Sequence, residues 1–146
     1  MNNRKVCVVT GSRAEYGLFY PILIKIQESN NLELQLICTS SHLSSEYGLT
    51  YKEIENDGFS IDDKIENLSL TDTKLSIVKS SGLATSLISD SFDKLKPDVV
   101  LLLGDRYETH AAATAALLMN IPIAHIHGGE ITEGAVDEQL RHSISK

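Results

Sequence analysis

Apolar residues fall along this chain in short β-branched runs separated by stretches of helical spacing. The runs Val99–Leu103 and Ile121–Ile126 are almost wholly apolar, Lys5–Thr10 is a short β-branched run, and Leu32–Thr39 alternates Leu32, Leu34 and Leu36 before running apolar through Ile37 and Cys38. Short runs of that kind read as strands covered on both faces, as in a parallel sheet. Between the first two, Leu18, Ile22, Leu23 and Ile26 predict a helix from about Tyr16 to Ser29, with Pro21 tolerable in its first turns. Glu46–Asn56 predicts a short helix closed by Gly58, and Phe59–Ile65 a weak third or edge strand among acidic residues. From about Asp72 to Leu95, Leu75, Val78, Leu83, Leu87 and Phe92 form one apolar stripe. Ser80-Ser81-Gly82 interrupts it where a kink would fit, and Pro97 ends it. Alanine-rich Arg106–Met119 predicts the next helix, and Asp137–Lys146 begins another.

This β-α alternation predicts an α/β fold, a Rossmann-like doubly wound parallel sheet with helices on both faces and strand order 3-2-1-4-5. Residues 1–146 read as a single domain of this kind. The chain stops within about three turns of the start of its last helix, which suggests a fragment lacking a C-terminal domain.

Composition narrows the partners. The net charge is −7 and no basic run occurs, so neither nucleic acid nor an anionic membrane surface is expected as a partner. No apolar run is long enough to span a bilayer, and the N-terminus passes into a strand without a signal-peptide core, so a cytoplasmic location is expected. Cys7 and Cys38 lie inside apolar runs and read as core thiols.

In open α/β sheets ligands bind beyond the carboxyl ends of the strands, and here those ends carry the chemistry. The first strand stops at Gly11-Ser12-Arg13-Ala14-Glu15-Tyr16-Gly17, a glycine turn entering a helix. Such a turn aims backbone N–H groups and the positive helix end at an anion, and Arg13 adds a guanidinium fork. It lacks G-x-G-x-x-G, so no dinucleotide is indicated. Arg13 as a solvated side chain is the plainer reading. The second strand ends in Thr39-Ser40-Ser41-His42, where His42 either touches a ligand or is simply solvated. Gly104-Asp105-Arg106 projects a carboxylate whose partner could be the neighbouring guanidinium, leaving a structural ion pair or a catalytic base. His125-Ile126-His127 with Glu130 beyond the Gly-Gly turn could be read as a metal site, but a ligand-facing strand end explains the same residues, and no metal is expected. Asp137 and Arg141 share a helix face at i and i+4, either as a surface pair or as a carboxylate and an anion clamp.

Four motifs occur in order: T-G-S-R-A-E-Y-G, L-G-D-R-Y-E, N-I-P-I-A-H-I-H-G-G-E-I-T-E-G-A and D-E-Q-L-R-H-S-I-S-K. In this combination the whole chain resembles the N-terminal domain of the hydrolysing UDP-N-acetylglucosamine 2-epimerases of sialic and related nonulosonic acid synthesis. That family pairs two Rossmann-like domains in the GT-B arrangement, with the nucleotide sugar between them. The resemblance implies hydrolytic epimerisation of UDP-N-acetylglucosamine to N-acetylmannosamine and UDP, by elimination to a 2-acetamidoglucal and then hydration. It implies catalytic roles for Asp105, His127 and Asp137. Arg13, Arg106, Glu130 and Arg141, together with His42, are expected to meet the UDP-sugar. Some relatives carry a glutamate at the position of His127, and a neutral histidine can also serve as acid or base near pH 7. A homo-oligomer is implied, with the Asp72–Leu95 helix as candidate interface, and no metal or organic cofactor. Alternatives are a related enzyme for a UDP-diacetamido-trideoxy sugar on the route to legionaminic acid, the non-hydrolysing epimerase, and a non-catalytic nucleotide-sugar-binding half.

Overall fold

The computed structural model describes residues 3–39, 42, 48–66, 73–104, 106–126 and 144. The described elements run β1 (Arg4–Thr10), α1 (Arg13–Glu28), β2 (Leu32–Thr39), α2 (Tyr51–Asn56), β3 (Asp63–Ile65), α3 (Lys74–Leu95), β4 (Val99–Leu103), α4 (Tyr107–Leu118) and β5 (Ile123–Ile126). The strands form one sheet in the expected order β3-β2-β1-β4-β5. Every pairing is parallel, with Val8 opposite both Leu36 and Leu101.

Side chains alternate across β1 and so build two cores. Val6 and Val8 pack with Leu36 and Cys38 against Tyr16, Phe19 and Leu23 of α1 and Ile54 of α2. Cys7 and Val9 pack with Val100 and Leu102 against Ala84, Ile88 and Phe92 of α3 and the alanines of α4. The sheet is therefore doubly wound, and both cysteines are buried free thiols. Among the described residues no helix is long and apolar enough to cross a membrane.

Local chemistry moves several boundaries from where the pattern puts them. Helix α1 starts at Arg13 because Ser12 caps it, its hydroxyl accepting from the Glu15 N–H at 3.3 Å. Pro21 therefore lies in the helix interior rather than in its first turns. Strand β3 is confined to Asp63–Ile65: the Asp62 N–H donates to the Leu36 carbonyl and the Leu36 N–H to the Asp62 carboxylate, both at 2.8 Å, which anchors the chain just before pairing begins. Phe59 is spent on the core instead. Gly48–Thr50 forms a turn, so α2 begins at Tyr51, and residues 43–47 lie outside those described. Helix α3 continues through Ser80-Ser81-Gly82, and the Thr85 and Ser89 hydroxyls donate to carbonyls four residues back. It ends where Lys96 turns left-handed ahead of Pro97.

Ala111, Ala112, Ala115 and Ala116 are almost fully buried and let α4 lie close to α3 and the sheet. Ala112→Leu is expected to overpack this contact and lower stability by about 1–3 kcal/mol, read from the urea midpoint.

Candidate active site

Strands β1 and β4 are neighbours, yet the turn after β1 leads to α1 on one face and the turn after β4 leads to α4 on the other. This is the topological switch point of the sheet, where the outgoing turns part and leave a crevice. The turn after β1 is Gly11-Ser12, and the turn after β4 contains Gly104 at φ +87, a conformation that favours glycine. His125 on β5 places Nε2 2.7 Å from the Gly104 carbonyl and so braces that turn.

Arg106 crosses this junction. It is the N-cap of α4, in extended backbone conformation, and its side chain makes no cap hydrogen bond. Instead Nε and Nη2 donate to the two carboxylate oxygens of Glu108, at 3.1 and 3.4 Å. The same Nε lies 3.9 Å from Glu15 Oε2, on α1. Glu108 and Glu15 are buried, whereas the Arg106 side chain is 45% exposed. Burial opposes the guanidinium charge, but the hydrogen bonds and charge of Glu108 and the charge of Glu15 outweigh it, and the Arg106 pKa is raised.

Glu15, three residues after the N-cap, reaches back to accept from the Gly11 N–H and the Ser12 hydroxyl, each at 3.3 Å. Desolvation is the larger influence and raises its pKa to about 7, with Glu108 pushing the same way against Gly11, Arg106 and Ser12. A Cβ on Gly11 would sit 3.1 Å from Thr39 Oγ1, a tight contact to which that side chain would have to yield.

His42 is fully buried behind the edge rather than solvated. Its Nε2 lies 3.0 Å from Thr10 Oγ1 and its Nδ1 2.7 Å from Thr50 Oγ1. Thr10 Oγ1 donates onward to the Ser12 carbonyl, so the network assigns the proton to Nε2 and lets Nδ1 accept from Thr50. Burial lowers its pKa to about 4, so it stays neutral near pH 7. The edge of the Tyr16 ring packs against it, and Tyr16 donates to Asp57 at 2.5 Å. Arg13 turns to the surface and pairs with Glu53 of α2 at 3.2 Å. Both partners are well exposed, so the pair contributes about 1 kcal/mol at most and an anion could displace it.

The structure thus brings Arg106 to the crevice, places Arg13 on its flank and sets His42 behind it. Asp105, His127, Glu130, Asp137 and Arg141 lie outside the described residues. Among the described residues no three His, Cys, Asp or Glu side chains gather as a metal site. Sequence reasoning missed Glu15 and Glu108. The S-x-x-E spacing of Ser12 and Glu15 was the available signal for the first, and for the second only an acidic residue opening an alanine-rich helix.

A family model described as UDP-N-acetylglucosamine 2-epimerase matches residues 24–146. The chain is 51% identical over 146 residues to the GDP/UDP-N,N'-diacetylbacillosamine 2-epimerase (hydrolyzing) of Campylobacter jejuni, covering 100% of this chain and 38% of that protein. It is 44% identical over 143 residues to the UDP-N,N'-diacetylbacillosamine 2-epimerase (hydrolyzing) of Legionella pneumophila, covering 98% and 38%. The UDP-N-acetylglucosamine 2-epimerase of Neisseria meningitidis serogroup B is 35% identical over 143 residues, covering 98% and 37%. Among solved structures, a Neisseria meningitidis UDP-GlcNAc 2-epimerase bound to UDP-GlcNAc superposes with TM-score 0.80 at 26% identity, covering 97% of this chain and 37% of that one. The chain therefore spans well under half the length of the relatives it matches, and its fold is that of one Rossmann-like half of the GT-B-like arrangement.

Replacing His42 by Leu should cost about 1–3 kcal/mol, because the buried Thr10 hydroxyl loses its donor and the half-buried Thr50 hydroxyl its acceptor. The folded-state pKa of about 4 lies below the ordinary 6.5, so the unfolded chain takes up a proton first as pH falls. The stability that neutral His42 contributes is complete above pH 6.5 and lost as pH drops toward 4. Urea titrations should show the gap between wild type and H42L narrowing over that interval.

Proposed function

The chain belongs to the UDP-N-acetylglucosamine 2-epimerase family, and from that premise we propose that the complete protein is a hydrolysing 2-epimerase of a UDP-linked diacetamido-trideoxyhexose, N,N'-diacetylbacillosamine. The observation that carries the substrate choice is the identity of 51% to the Campylobacter jejuni enzyme named for that sugar, against 35% to the Neisseria meningitidis enzyme named for UDP-N-acetylglucosamine. UDP-N-acetylglucosamine is the second reading, favoured by the family's description and by that 35% relative.

In either case the reaction needs a base to take the proton from C2 of the sugar while the C1–oxygen bond to UDP breaks. The C–H electron pair becomes the C1=C2 double bond and UDP leaves with the bonding pair. Water then returns a proton to C2 on the opposite face and a hydroxyl to C1, giving the free 2-epimer. A base for so weakly acidic a carbon must be close and partly dry, and the departing diphosphate needs fixed positive charge. Asp105, His127 and Asp137 are the proposed acid and base groups. Arg13, Arg106 and Arg141 would meet the diphosphate and Glu130 the sugar. His42 would act from behind, by holding the Thr50 turn against the end of β1.

Arg106 suits this role because its charge is secured by Glu108 while almost half of its side chain is accessible. No metal, organic cofactor, nucleic acid or membrane enters the scheme, the complete protein is expected to be a cytoplasmic homo-oligomer, and the 146-residue chain alone is expected to bind UDP weakly without turnover.

Proton NMR in deuterated buffer separates the readings. The complete protein, given each UDP-sugar in turn, should release UDP and a free 2-epimer carrying deuterium at C2 from the diacetamido sugar in preference to UDP-N-acetylglucosamine. Preference for the latter would reverse the substrate assignment. Epimer still linked to UDP would replace the hydrolysing reaction with simple epimerisation.

A further inference from the structure

Glu15 and Glu108 approach one guanidinium from opposite faces of the sheet, and neither has a role in the reaction as proposed. We propose that they are positioning residues for Arg106: Glu108 sets the orientation of the guanidinium, and Glu15 is a weaker, proton-sensitive hold from which an incoming diphosphate draws it. The inference rests on the nucleotide-sugar reading of the crevice.

The two contacts are unequal. Glu108 engages Nε and Nη2 in a two-pronged hydrogen bond from only two residues away, so α4 carries donor and acceptor together. Glu15 lies farther, at 3.9 Å from Nε, and its oxygens are already occupied by the Gly11 N–H and the Ser12 hydroxyl. Losing Arg106 would leave Glu15 still bonded, whereas losing Glu108 would free the guanidinium to rotate. Among the described residues Nη1 is left for an anion.

The charges around Glu15 favour a change of state. One cation faces two buried carboxylates, and burying that surplus negative charge is costly unless one of them takes a proton. From the turn after β1, Glu15 faces the Gly11 N–H and the Ser12 hydroxyl; from the α4 side it faces Arg106 and Glu108. Thr39 at the end of β2 adds only a hydroxyl near Gly11, and Arg13 is turned away to Glu53. Tyr107 lies against Glu108 and Arg106 and stays protonated, its pKa pushed up to about 12, chiefly by burial. Glu15, raised to about 7, is the group of this set that changes charge near neutrality. When ionised it competes with the diphosphate for Arg106, and when protonated it does not. Diphosphate binding should therefore draw a proton onto Glu15 and weaken as pH rises through 7.

The test is UDP binding to the complete protein by calorimetry from about pH 6 to about pH 8, for wild type, E15Q, E108Q and R106Q, each checked for folding by its urea midpoint. UDP's own ionisation is common to all four, so ratios of Kd isolate the protein. The Kd of wild type relative to E15Q should rise about three- to tenfold across that range. E108Q should bind about tenfold or more weaker, with its slope moved to lower pH, because Glu15 no longer has a second carboxylate beside it. R106Q, without the cation, should lose the slope, and it carries the test if E15Q does not fold. A wild-type to E15Q ratio that stays constant with pH, or a slope that survives in R106Q, overturns the proposal. Binding that follows the expected ratio without turnover of either sugar would keep the hold and remove the proposed function. Turnover with a flat ratio would do the reverse, and absence of UDP binding would remove both.

Discussion

The guanidinium of Arg106 is the point at which the two faces of this sheet meet. Parallel strands send their helices to one side or the other, and at the β1–β4 boundary the outgoing turns separate. Separation creates a crevice but also exposes polar backbone ends that the flanking helices cannot satisfy. Glu15, from α1, accepts from the Gly11 N–H there, Glu108, from α4, bonds Arg106, and the shared cation keeps the arrangement from being an uncompensated burial of charge. Other features act around this centre. The small Gly11 lets the β1 turn pass beneath Thr39, Ser12 starts α1 early enough to carry Glu15 inward, and His125 braces the Gly104 turn that precedes Arg106.

The reading of the sheet from sequence succeeded because buried parallel strands leave an unmistakable trace: runs such as Val99–Leu103 have no exposed face to alternate with. Element ends were less legible, since they depend on single side chains. Asp62 shortened β3 by bonding the backbone of β2, a contact across the fold that apolar patterning does not record. The early start of α1 was written in the S-x-x-E spacing, but hydrophobic periodicity begins later and suggested Tyr16.

The site was legible in kind rather than in arrangement. Glycine and charge at strand ends pointed to the carboxyl edge of the sheet and to Arg106, while the neighbour suggested for it by sequence was Asp105. Its described partners are Glu108, two residues on, and Glu15, on another helix altogether. Nothing local distinguishes a buried glutamate from a solvated one, because burial is decided by which helix arrives opposite. The same holds for His42: a histidine in a polar loop reads as exposed until the hydroxyls of Thr10 and Thr50 are brought to both its nitrogens.

His42 and Glu15 also show how an edge can hold two strongly perturbed groups without a large net dependence of stability on acidity. His42 is neutral in the fold down to about pH 4 against an ordinary 6.5, so on its account stability grows as pH rises across that interval. Glu15 is protonated in the fold up to about pH 7 against an ordinary 4.5, so on its account stability is complete at low pH and declines as pH rises through that interval. The intervals overlap between 4.5 and 6.5, where the two slopes oppose each other. Only Glu15 acts from 6.5 to 7, and only His42 below 4.5. The fold therefore keeps a neutral imidazole to pin a turn and a near-neutral carboxyl to hold an arginine, while their opposing demands cancel over most of the mildly acidic range.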